Sequence, residues 1–77
     1  NEAAKKLIMA EKNLEKADEN LRYATRGFEE GVIPASNVLE AHTAWLSAQS
    51  EKIDAQIDVK LTEIYLKKAT GSLNIEN

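Results

Sequence analysis

Few residues in this chain could carry out chemistry, and the single histidine, His42, with Glu40 and Thr43 close by, comes first. A metal site or an acid–base pair on one helical face needs partners three or four residues apart. Neither Glu-x-x-His nor His-x-x-x-His/Glu/Asp occurs, so the signature of di-metal helical bundles is missing. His42 is therefore read as a partly exposed helix residue. The absence of cysteine removes disulfides and thiolate metal sites. Glu15, Asp18 and Glu19, like Asp54 and Asp58, are simplest as solvated faces. Trp45 falls on an apolar helical seam, which favours packing over a ligand platform, while Tyr23 is either an interhelix hydrogen-bond donor or an exposed aromatic. With no nucleophile beside a base, no phosphate loop and no paired catalytic carboxylates, neither an enzyme nor a cofactor or metal site is expected.

The elements that hold these side chains are few as well. A chain of 77 residues makes at most one small domain, and without a disulfide or metal staple its remaining route to stability is association. The net charge of −3 comes from interspersed acids and bases without a basic stripe, which argues against nucleic acid. No apolar run approaches the roughly 20 residues of a spanning helix. The lack of a start methionine and of a leader suggests a segment of a longer, processed protein.

From Ala3, apolar residues recur at Leu7, Ala10, Leu14, Ala17, Leu21, Ala24 and Phe28, alternating steps of four and three. This is a heptad seam in which alternate positions are small, so a facing helix can approach closely. Glu2 with Lys6, and Asp18 with Arg22, have favourable four-residue spacing. The pattern predicts helix 1 over about 2–29, stopped by Gly31 as a left-handed cap and by Pro34. A tip turn over 30–36 follows. Asn37 and Glu40 then form a candidate capping box, with Ser36 as the competing N-cap, opening helix 2 over about 37–70. Gly71 is expected to stop it, leaving a tail over 71–77.

Helix 2 carries two seams. At about 100° per residue, Ala41, Trp45, Ala48, Ala55, Val59, Leu66 and Ala69 fall on one side, and Leu39, Leu46, Ile53, Ile57, Leu61 and Ile64 nearly opposite. A two-helix hairpin covers only one side. The expected fold is thus all-α, a long antiparallel coiled-coil-like hairpin that self-associates when isolated, as a homo-oligomer. The connection is unusual too, because Val32, Ile33, Pro34 and Ala35 put a stiff apolar surface where a short polar turn would serve. Residues of this kind either tuck back as a staple over the helix ends or present a contact surface.

The order of these features resembles the C-terminal hairpin of TolC-like outer-membrane efflux proteins. It runs Arg26-Gly27-Phe28, Glu29-Glu30-Gly31-Val32-Ile33, Ser36-Asn37-Val38-Leu39-Glu40-Ala41, then a long helix closing in Lys68-Ala69-Thr70-Gly71. The resemblance covers nearly the whole chain. It implies a homotrimer whose helices form a hollow periplasmic cylinder in a Gram-negative bacterium, continued into the outer membrane by β-strands absent from this stretch. It also implies a membrane-fusion adaptor and an inner-membrane pump as partners. Gly31, Val32, Ile33, Pro34 and Ala35 would form the adaptor-binding tip, and Phe28, Asn37 and Glu40 would lie at the pore entrance. Asn37 stands where some members have an acid, Phe28 where many have tyrosine, and Pro34 is outside the pattern. The alternative expectation is a structural coiled-coil hairpin that mediates assembly without transport.

Overall fold

The structure, a computed structural model, describes the backbone of residues 2–76 and the side chains of residues 2–67. Two helices, α1 (Glu2–Glu29) and α2 (Ala35–Glu76), lie antiparallel and are joined by residues 30–34; no strand occurs among the described residues. The rod measures 67 × 17 × 12 Å. Its radius of gyration of 18.9 Å compares with about 11–12 Å for a globular chain of this length, so the core is one seam rather than a centre.

That seam is built of alanine. Ala10, Ala17 and Ala24 of α1 and Ala48 and Ala55 of α2 are buried, while Leu7, Leu14, Leu21, Trp45 and Val59 are half-buried along its edges. Alanine has no side-chain entropy to lose and favours the helix most strongly, so these positions serve local structure and close approach together. Ala10 and Ala55 line one hollow between the helices, Ala3 and Thr62 the next, and Lys6 Nζ meets Asp58 Oδ2 at 3.4 Å. Continuing this antiparallel register sets Ala17 opposite Ala48, Ala24 opposite Ala41, and Phe28 opposite Asn37.

Several expectations need correction. α2 starts at Ala35 rather than Asn37, because Pro34 takes the capping position and its carbonyl accepts the Asn37 N–H at 3.0 Å. Asn37 is therefore inside the first turn and cannot be the N-cap of a capping box. α2 also continues through Gly71 to Glu76 where a stop and a tail were expected. A lone glycine costs a helix only about 1 kcal/mol, and residues 72–76 contain no proline to enforce a stop. Leu66, placed on the packed seam, is 60% exposed, because Glu2 and Ala3 already face Leu61 and Thr62 and α1 reaches no further along α2. The Ala69 side chain lies outside those described. Asp18 and Arg22 pair at 2.6 Å as their spacing suggests, but the pair shown for Lys6 crosses to Asp58 instead of joining Glu2.

The second seam of α2 has no cover within the hairpin. Leu39, Leu46, Ile53, Ile57, Leu61 and Ile64 are each between 48% and 67% exposed. The corresponding outer face of α1 carries Lys12, Glu15, Glu19, Arg22 and Arg26. The two outer edges of the rod, at either end of its 17 Å width, therefore differ, that of α2 apolar and that of α1 largely charged. No helix is long and apolar enough to cross a membrane among the described residues.

Candidate functional site

The tip begins with how α1 ends. Gly31 has φ +80°, the left-handed conformation that a Cβ disfavours. Around it, Val32 N–H donates to Gly27 O at 2.8 Å and Gly31 N–H to Phe28 O at 3.0 Å, the paired bonds of a Schellman cap. Glu30 N–H also reaches Arg26 O at 3.0 Å, and Ile33 N–H reaches Gly27 O at 3.1 Å. Carbonyls that the helix end would leave unpaired are thus satisfied within the turn.

This backbone arrangement separates the two aliphatic residues. Ile33 folds back onto Gly27, which is buried; a Cβ there would overlap Ile33 Cδ1 and come within 2.6 Å of Cγ1. Val32 points away and is 73% exposed. One member of the pair therefore acts as the staple, and the other is left on the surface. Gly31, Pro34 and Ala35 are exposed beside Val32. A Cβ on Gly31 would meet nothing within 4 Å, so its requirement for glycine is purely conformational.

Phe28, Asn37 and Glu40 lie at the same end. Phe28 is 49% exposed, in the last turn of α1, and Asn37 lies in the first turn of α2. Asn37 and Glu40 are exposed, with Glu40 one turn further along α2. Extending the register of the helix pair would set Phe28 across from Asn37, and Glu40 belongs to the neighbouring turn.

Beside the tip, Tyr23, Arg26, Gly27, Glu30, Val32 and Ile33 line an open hollow of about 330 Å³. Tyr23 is 74% exposed. The Arg22 guanidinium, hydrogen-bonded to the Asp18 carboxylate and attracted by its charge, is held above its ordinary pKa and stays cationic. Gly27 is a tip determinant outside the sequence-predicted set, although a glycine one turn before the end of a helix signals close approach by another segment. Tyr23 and Arg26 carry no signal of their own, because they join the tip only through the fold-back of Ile33.

The remaining candidates are structural in placement. His42 is exposed and stacks on half-buried Trp45, with ring centroids 6.2 Å apart and planes 14° from parallel. Thr25 and Thr62 donate to carbonyls one turn back, at 2.7 and 2.8 Å. Among the described residues no group of His, Asp or Glu is placed to hold a metal.

Neither a curated protein nor a solved structure matches the chain. One family model does, that of the outer membrane efflux protein, over residues 1–72. A match of this extent spans both helices and the tip, and with the all-α hairpin it shows that the chain belongs to the outer membrane efflux protein family.

Proposed function

We propose that the hairpin is part of the periplasmic tunnel wall of a trimeric outer-membrane efflux channel, with its tip docking a membrane-fusion adaptor that links the channel to an inner-membrane pump. Membership of the efflux family supports a role in such channels. The observation that carries the finer reading is the division of labour at the tip: Ile33 locks the turn, and the turn then holds Val32 outward at 73% exposure on a rigid support. A preorganised apolar knob at the end of a rod is suited to a partner surface, since little conformational freedom has to be lost on binding.

In this reading Gly31, Pro34 and Ala35 frame Val32, and Phe28, Asn37 and Glu40 line the tunnel entrance, where Glu40 supplies negative charge and Asn37 does not. The uncovered seam of α2 supports a wall position, because each helix of a closed cylinder has a neighbour on both sides. The test is Val32→Asp in a complete channel carrying this hairpin, with drug export and channel abundance measured together. Export should fall at least several-fold while abundance holds. Unchanged export from normally assembled channels would remove the docking role. Val32 is a cleaner probe than Ile33, whose replacement also disturbs the turn.

A further inference from the structure

The outer edge of α1 follows a heptad register of its own. Lys5, Lys12, Glu19 and Arg26 recur every seven residues, and Ile8, Glu15 and Arg22 interleave with them at steps of three and four. All are exposed, on the side of α1 turned away from its alanine seam. Toward the tip the charges come in blocks, Lys5 and Lys12, then Glu15 and Glu19, then Arg22 and Arg26. We propose that this edge is a charge-coded contact for a helix of different sequence in the same channel, one that presents acids to the first block, bases to the second and acids to the third. This choice of neighbour rests on the wall position proposed above.

An edge that only met solvent would be arranged differently. Glu15 and Glu19 stand one turn apart, as do Arg22 and Arg26, and like charges at four-residue spacing repel within a helix. Arg22 is offset by Asp18 at 2.6 Å, but Lys5, Lys12, Glu15, Glu19 and Arg26 form no ion pair among the described residues. A partner of opposite sign offsets the repulsion and pairs the charges left over.

Copies of the hairpin itself do not fit this edge. In a wall every tip points the same way, so α1 beside α1 would run parallel and put each charge against its own copy. An α2 laid there in the antiparallel register of the hairpin would set Lys12 against Ile53, Glu19 against Leu46 and Arg26 against Leu39, burying charges without partners. Lys5 would meet Lys60. The blocks also fix the level of the correct neighbour. A slip of one heptad toward the tip moves the acid that matches Lys12 onto Glu19, and the base that matches Glu19 onto Arg26. The edge is thus a key for partner and register, separate from the apolar knob at Val32.

The test uses a complete channel carrying this hairpin. A p-benzoylphenylalanine placed at Ile8, the neutral position of the edge, reports the neighbour of α1 without removing a charge, and the same probe at Leu46 reports the neighbour of α2. The Ile8 probe is expected to capture a channel segment outside residues 1–77, with acidic residues at helical spacing around the captured site. Capture of another copy of residues 1–77, or of the adaptor, would overturn the proposal, as would capture from Leu46 with none from Ile8. No channel segment captured from either position would remove the wall reading, and this contact with it. Glu15→Lys with Glu19→Lys should lower the recovery of assembled trimer at least roughly three-fold, whereas Glu11→Lys with Glu51→Lys, in the hollows between the two helices, should leave it unchanged. Equal recovery of the two double variants would overturn the charge code.

Discussion

At the residue scale the tip depends on two glycines for different physical reasons. Gly31 supplies a left-handed turn in open space, so Gly31→Ala should cost about 1–2 kcal/mol from backbone strain alone. Gly31→Asn should cost less, because asparagine tolerates that conformation better. Equal losses in chemical denaturation would contradict this assignment. Gly27 is constrained by Ile33, not by φ. Gly27→Ala should destabilise the hairpin by about 1–3 kcal/mol through overpacking, although alanine is the better helix former. In an Ile33→Ala background the clash with Cγ1 and Cδ1 is gone and only the tight 3.1 Å approach to the Cβ of residue 33 is left, so the same change should cost at least about 1 kcal/mol less. An undiminished cost would mean that the fold-back of Ile33 is not what excludes a side chain at Gly27. Gly31 was recognisable from the sequence because its neighbours mark a helix end. The Gly27 and Ile33 contact was not, because it arises from a turn geometry that no periodicity encodes.

At the element scale the hairpin rests on alanines spaced by seven, and this was legible in the sequence. The Ala and Leu alternation of α1 and the opposed seams of α2 follow directly from apolar spacing, and the buried and exposed sets divide along those lines. The boundaries were less legible. Pro34 shifted the start of α2, and Gly71 suggested a stop that a single glycine does not enforce. Phe28 continued the heptad on paper, yet it stands half-exposed because α2 has only just begun opposite it. The close packing gives a direct prediction. Ala48→Leu should push the helices apart and cost about 1–3 kcal/mol, whereas Ile57→Ser, on the far side of α2, should change the stability of the monomeric hairpin by no more than about 0.5 kcal/mol. Denaturant titrations at low concentration compare the two, and similar losses would mean that the seams have been assigned to the wrong sides.

At the scale of the whole molecule, a thin rod with one apolar and one largely charged outer edge is built for company. Its ion pairs add little: the Lys6–Asp58 pair is exposed at both ends, so Lys6→Ala should cost less than about 1 kcal/mol. A larger loss in thermal unfolding at moderate salt would assign the pair a structural role. The functional account depends on the end of the rod. Its most direct test places a single cysteine at Val32 in a complete, assembled efflux channel and joins it to the membrane-fusion adaptor with a short bifunctional crosslinker, using Glu51→Cys at mid-helix as the control. The account predicts that the adaptor is captured from position 32 and not from position 51. Efficient capture from position 51 with none from position 32, in channels that export normally, would contradict it.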